Sequence, residues 1–318
     1  MTAATAGTRP ARRKAKVRIG DRVFATTTIV AGSLILATLA AVAIFLVIQS
    51  IPALVAGAGE LPNEAANFWQ YVWPLVFGTV WAAFLALLFA TPLSIGIALF
   101  ITHYAPRRVS QTLGYIIDLL AAVPSVVFGL WGIATLAPFV QPFYQWLGDH
   151  LGWFPLFAPP VSGTGRTILT AAIVLAVMVI PIMTAICREV FLQAPRLHEE
   201  AALALGATRW EMVKMAVLPF ARSGIVSAIM LGLGRALGET FAVAMVLSPA
   251  FLVKLAVLQP QNPNTIAANI ALQFPEATGV SVNALVASGL VLFAVTLLVN
   301  ILARWIIARR AAFSGANG

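Results

Sequence analysis

The sequence predicts an all-α, polytopic membrane protein with about six transmembrane helices, on three observations. Hydrophobic residues make up 60% of the 318 and charged residues 10%, whereas a soluble domain carries about a quarter charged residues. Mean hydropathy is +0.93, so the chain lacks the polar surface to cover itself in water. The apolar residues also gather into runs, at roughly 24–48, 73–101, 112–137, 167–187, 223–248 and 283–307, each long enough to cross about 30 Å of hydrocarbon as a helix. Finally, the basic residues sit on alternate connections between these runs.

The first run follows the basic stretch "RRKAKVRIGDR" and precedes "AGAG" at 56–59, which imitates a signal peptide with its cleavage site. A signal h-region runs only about 7 to 15 residues. This run is much longer and reads as a retained helix. The following connections are a polar segment near 60–70, the turn "THYAPRRVSQ", the Pro/Gly-rich "GWFPLFAPPVSGTGRT", a long loop 188–222, and "QPQNPNTIAANIALQFPEATG". No internal repeat or low-complexity linker divides them. The expected organisation is a basic tail 1–23, one six-span domain 24–308 and a short tail 309–318.

With the N-terminus inside, the inner segments hold seven basic residues over 9–22, then Arg107 and Arg108, then Arg188, Arg196, Arg209, Lys214 and Arg222, then Arg304, Arg309 and Arg310, which is 17 of 20. Only Arg166 and Lys254 fall on outer segments. This positive-inside bias puts both termini in the cytoplasm, 103–111 and 188–222 inside, and 138–166 and 249–281 outside. The formal charge of +9 is then juxtamembrane charge attracted to anionic lipid. It stops where the first run begins, so it is not a nucleic-acid-binding arm.

Enzymatic motifs are absent. There is no G-x-x-x-x-G-K-[ST], so the chain carries no Walker-type loop for ATP. "HEEAA" at 198–202 lacks the second histidine of a zinc-protease motif, and His103 and His150 sit alone in loops. "GLGRALG" at 232–238 is not the dinucleotide fingerprint. The single cysteine, Cys187, excludes an intrachain disulfide and a cysteine-rich metal cluster.

The loop 188–222 has local helix signals. After Pro195 a short helix can start through "RLHEEAALAL", and Gly206 stands where a left-handed C-terminal cap is wanted. Thr208 and Glu211 have the spacing of a capping box for a second helix. Two short helices about a glycine hinge form either a docking knob or a merely solvated connector.

The spacing here resembles the cytoplasmic signature of bacterial ABC importer permeases: E-A-A, three residues, G, nine residues, I-x-L-P. The chain has Glu200-Ala201-Ala202, Gly206 and Leu218-Pro219, with Ala216 at the usual Ile position. In that family the segment is a coupling helix that seats in a groove of the ATP-hydrolysing subunit. Small Ala201 and Ala202 suit close approach, Glu200 can meet a basic partner, and Gly206 lets the chain turn. Together with "AAVPSVVFGLWGI" at 121–133 and "GLGRALGETFAVAMVL" at 232–247, the chain is similar to the phosphate-specific branch of the family. The resemblance covers the second run onward. It implies a type I permease fold in a bacterial plasma membrane, a second homologous permease, two copies of an ATPase and an extracytoplasmic phosphate-binding protein. It also implies that ATP and Mg²⁺ are bound by the ATPase and that this chain itself has no cofactor. Permeases for sulfate, molybdate or phosphonate share the class. A channel would need no coupling knob, and a secondary transporter often shows an inverted repeat.

Arg235 and Glu239 lie inside an otherwise apolar or small run. A centrally placed Arg is unfavourable there by about 2.5 to 3.5 kcal/mol on a translocon scale. If the run is one helix, the two are i and i+4, pair on one face and point at a watery path or at packing. An arginine fork suits a tetrahedral oxyanion such as phosphate, and Gly232, Gly234 and Gly238 would let another helix approach. Ser125, after Pro124, is a further candidate for the substrate path, at a bend in the third run. Arg166 on the outer side either meets a ligand or is solvated, and Asp118 lies near the inner end of the third run.

Overall fold

A computed structural model describes residues 19–311, and side chains for 19–305. The basic stretch 1–18 and the last residues 312–318 lie outside the described residues. The chain divides into two compact units, Met1–Ile48 and Gln49–Gly318.

Among the described residues, six helices are long and apolar enough to cross a membrane. The first unit carries most of α1 (Ile19–Val55), whose apolar side chains are exposed nearly all round. That distribution suits lipid.

In the second unit the central pair is α2 (Phe68–Leu99) and α6 (Ile168–Leu192). Asn67 caps α2 by accepting from the Gln70 amide at 2.9 Å, and Thr167 caps α6 by accepting from Thr170 at 3.2 Å. Both remove orphan donors at a helix start. The facing surfaces use small residues, with Ala82, Ala83, Ala86 and Ala90 of α2 in one buried cluster with Ala171, Ala172 and Ala176 of α6. Small side chains let the backbones approach, which matters in lipid, where apolarity alone gives no preference for helix over tail.

The third span differs from its expected range. Residues 107–121 form a separate amphipathic helix, α3 (Arg107–Ala121), and the span begins at Ser125 with α4 (Ser125–Trp131), continuing through α5 (Ala137–Leu151). Pro124 is therefore the N-cap of α4, not a bend inside a span. Asp118 meets Arg188, near the C-terminal end of α6, at 3.5 Å. Gly114 makes room for that arginine, since a Cβ there would collide with its Nη1.

Three wide turns interrupt the spans, at Phe100–Tyr104, Gly132–Leu136 and Val213–Val217. Each is closed by the amide of the residue just before a proline: Ala105 onto Phe100, Ala137 onto Gly132, and Leu218 onto Val213. Proline has no amide to donate, and its ring clashes with the carbonyl four residues back. Widening the preceding turn to an i→i+5 bond relieves the clash.

The loop 188–222 folds as α7 (Arg196–Ala204) and α8 (Arg209–Met212), then runs into α9 (Leu218–Gly238). The short α10 (Phe241–Val246), α11 (Ile266–Gln273) and the long α12 (Val280–Ala311) follow. The expected outer loop 249–281 is packed, not loose. Pro249–Ala250 pairs in parallel with Asn262–Pro263, and the Thr79 hydroxyl accepts the Ile266 amide at 2.9 Å. Asn269 donates to the Tyr71 hydroxyl at 2.8 Å and accepts from Asn264 at 3.3 Å. Gly78 admits the Asn264 carbonyl where a Cβ would collide with it. Each of these partners, left buried and alone, would lose about 1–3 kcal/mol.

Candidate functional site

Two places combine the residues singled out in the sequence. The first is the surface of α7 to α9. Helix α7 closes with the amide of Gly206 on the Leu203 carbonyl (3.0 Å) and that of Ala207 on Ala202 (3.2 Å). This is a Schellman ending, and Gly206 has the φ of +87° it requires. Thr208 then starts α8 with a reciprocal capping box, its amide donating to Glu211 Oε2 at 2.7 Å. Both local expectations hold.

The turn creates a groove of about 540 Å³ lined by His198, Ala201, Ala202, Leu205, Met215, Ala216, Pro219 and Phe220. Leu205 at its edge is 90% exposed. The fold thus brings Ala201, Ala202, Ala216 and Pro219 together. Glu200 is exposed outside the groove lining, while Leu218 turns inward onto the cluster of Cys187, Phe191, Val213 and Val217. That cluster includes Ala98 and Leu99 of α2, so the base of the knob is continuous with two spans.

His103 is not alone. Its Nε2 lies 3.6 Å from Glu199 Oε1 on α7, its Nδ1 is 2.6 Å from the Thr102 hydroxyl, and its carbonyl accepts from Arg209 of α8 at 3.5 Å. Only the fold brings positions 103, 199 and 209 to one point.

The second place is the break at Gly238. Helix α9 ends there, and Glu239 takes φ −68°, ψ 129°. The run 223–248 is therefore not one helix, and Arg235 and Glu239 do not share a helix face. Among the described residues the close contacts between basic and acidic side chains are His103–Glu199 and Arg188–Asp118, and Arg235–Glu239 is not one of them. Instead the Glu239 carboxylate is buried and accepts the Ala242 amide at 3.2 Å, capping α10. The opposite end of α10 is held by Arg166, which donates to the carbonyls of Met245 (3.1 Å), Val246 (3.3 Å) and Leu247 (2.9 Å). Arg166 is a structural clamp, not a solvated outer charge. Helix α4 packs on α10 through Gly129, where a Cβ would crowd Ala242. Ser125, half-buried, opens α4.

Arg235 remains. Its Nε is buried without a hydrogen-bond partner, and its side chain lines a cleft of about 700 Å³ with Ile182, Ser227, Met230, Leu231, Gly234, Asn300 and Arg304. Ser125 and Glu239 are not part of this lining. Of the three glycines, Gly232 alone meets another helix, at Val179 and Met183 of α6, while Gly234 and Gly238 face open space. Gly224 meets Val190, so α6 and α9 run antiparallel and Arg235 lies about one turn from the middle of α6.

Comparison with known proteins fits this architecture. Residues 90–311 match the family model described as binding-protein-dependent transport system inner membrane component. Proteins of Mycobacterium bovis and Mycobacterium tuberculosis named phosphate transport system permease protein PstC 2 are 45% identical over 307 residues, which is 93% of this chain and 92% of each relative. A PstC of Mesorhizobium japonicum is 39% identical over 318 residues, 96% of both chains. A solved bacterial ABC transporter involved in import of the acidic polysaccharide alginate superposes with a TM-score of 0.59 at 18% identity, over 91% of this chain and 96% of that one. The likeness establishes a shared fold. The protein is a multi-pass membrane protein that belongs to the family of binding-protein-dependent transport system inner membrane components.

Proposed function

We propose that this chain is a permease subunit of an ATP-driven phosphate importer. The observation that carries the substrate is Arg235: a half-buried positive charge near the level of the middle of α6, without a carboxylate partner among the described residues, facing a cleft between spans. An unpaired cation in a low-dielectric site is unfavourable unless something meets it. A passing oxyanion meets it only transiently, as transport requires. The relatives named for phosphate transport support phosphate over sulfate, molybdate or phosphonate.

In this reading a second permease supplies the other wall of the path, and an extracytoplasmic binding protein delivers phosphate. Of two copies of an ATPase, carrying ATP and Mg²⁺, one docks at the groove of Ala201, Ala202, Ala216 and Pro219 with Glu200 beside it, and the other on the second permease. Both chain ends lie in the cytoplasm of a bacterial cell. The chain's own role is transport, with hydrolysis in the partner. The shared cluster beneath α7 carries ATPase closure into α2 and α6, and α9 bears Arg235 directly.

The test is uptake of labelled inorganic phosphate by proteoliposomes holding all four kinds of subunit. Uptake dependent on ATP and binding protein, resisting excess sulfate and molybdate, is the expected result. Transport of another oxyanion in preference would overturn the substrate, and ion flux without ATP would overturn the class.

A further inference from the structure

Arg304 reads in the sequence as one more juxtamembrane charge. The fold gives it a different neighbourhood. Ser227, Met230, Leu231, Gly234 and Arg235 recur at helical spacing on one face of α9, and Asn300 and Arg304, four apart on α12, complete the same cleft. The lining contains two arginines, an amide and a hydroxyl, and no carboxylate. Helix α12 continues to Ala311, so Arg304 sits about 10 Å short of its end and Arg309 and Arg310 lie beyond it. Two cations in one cleft repel each other, and the apolar remainder, Ile182, Met230 and Leu231, offers them no counter-charge.

We propose that Arg304 and Asn300 form, with Ser227 and Arg235, a phosphate-group station on the cytoplasmic side of Arg235. The assignment rests on the transport reading for its role and on the cleft lining for its chemistry. A phosphate group suits the set: its oxygens accept guanidinium donors in pairs, while the Asn300 amide and Ser227 hydroxyl supply further hydrogen bonds. The group comes either from free phosphate leaving Arg235 or from the net anionic headgroup of an inner-leaflet lipid such as phosphatidylglycerol, in which no ammonium already pairs with the phosphate.

The experiment uses the whole importer in vesicles of zwitterionic lipid alone or with added phosphatidylglycerol, with inorganic phosphate as probe. Arg304→Gln is expected to lower uptake at least tenfold with complex recovery unchanged, and Arg304→Lys to retain part of the rate. Asn300→Asp places a carboxylate one turn from Arg304. It offers Arg304 a permanent partner, lowers the charge of the two-arginine station by one and repels an anion, and is expected to stop uptake while leaving assembly intact. Loss in both vesicle types identifies free phosphate. A wild-type rate that itself requires phosphatidylglycerol, and becomes insensitive to Arg304→Gln in its absence, identifies the headgroup. Asn300→Asp transporting at the wild-type rate overturns the station whatever Arg304→Gln does, because a cleft that only packs is relieved by an added carboxylate. A wild-type complex that moves no phosphate overturns the proposed function instead, so the two failures are distinguishable.

Discussion

His103 Nε2 stands 3.6 Å from Glu199 Oε1, which ties the wide turn at the C-terminal end of α2 to the helix that carries Glu200, Ala201 and Ala202. The Arg209 bond to the His103 carbonyl adds α8 to the same point. The knob is thus fastened to the second span by polar contacts as well as by the buried cluster beneath it.

His103→Ala is expected to loosen this fastening without unfolding the chain, since the buried cluster beneath α7 and the capping box of α8 stay in place. Detergent-stable complex should be recovered in full while phosphate moved per ATP hydrolysed falls several-fold. An unchanged transport-to-hydrolysis ratio would make the contact incidental.

Gly206 is the second test of the knob. Its φ of +87° is costly for any residue with a Cβ, by about 1–2 kcal/mol, and open space around it leaves backbone strain as the only penalty. Gly206→Val should therefore lower co-purification of the ATPase and uptake together, with the six spans intact. Normal co-purification with normal uptake would remove the docking role of this turn.

Arg166 makes a stability prediction. Truncation to Ala leaves the last carbonyls of α10 without a donor, and charge-assisted bonds of this kind are worth about 1.5–3 kcal/mol each. Arg166→Ala should lower the thermal unfolding midpoint of the purified chain by several degrees. Arg166→Lys should rescue poorly, because an ammonium cannot span three carbonyls as the planar fork does. Equal stability of Arg166→Lys and wild type would argue against the clamp.

What the sequence revealed followed the range of the interactions. The six spans were legible because apolar run length is a local property, and α7–α8 because the Gly206 and Thr208–Glu211 caps are set by neighbours within five residues. The amphipathic α3 was absorbed into the third span because Leu113, Ile116, Ile117, Leu119 and Leu120 raise local hydropathy whichever way they face. The packed segment 249–279 was invisible because Asn264 and Asn269 read as loop residues, and their buried bonds reach Tyr71 across 198 positions. Likewise the spacing of Arg235 and Glu239 suggested a pair only on the assumption of a continuous helix, and Gly238 was a stop signal taken for a packing site.

Orientation can be checked on residues whose exposure the fold defines. Gly163 is exposed with open space around it, and Gln111 is exposed on α3, whereas neighbouring Ser162 is buried. In a Cys187→Ala background, Gly163→Cys should react with an impermeant thiol reagent on intact cells and Gln111→Cys should not. The reverse pattern would invert the topology and place the α7 groove outside.

The last prediction concerns Arg235 and Glu239, which the fold separates into different tasks. Arg235→Gln should abolish phosphate uptake with assembly intact, because it removes the charge that faces the cleft and breaks no bond. Glu239→Gln keeps an oxygen to accept the Ala242 amide and should transport well, whereas Glu239→Ala leaves that amide uncapped and should lose about 1 kcal/mol of stability. Since the two side chains do not pair, the Arg235→Gln and Glu239→Gln effects on assembly should add within about 0.5 kcal/mol. A paired arrangement predicts the opposite: each single change strands a charge and damages assembly, and the double change restores it. Recovery of the complex and uptake, measured across wild type, both singles and the double, therefore separate a cation held for a moving anion from an ion pair that locks the break in α9.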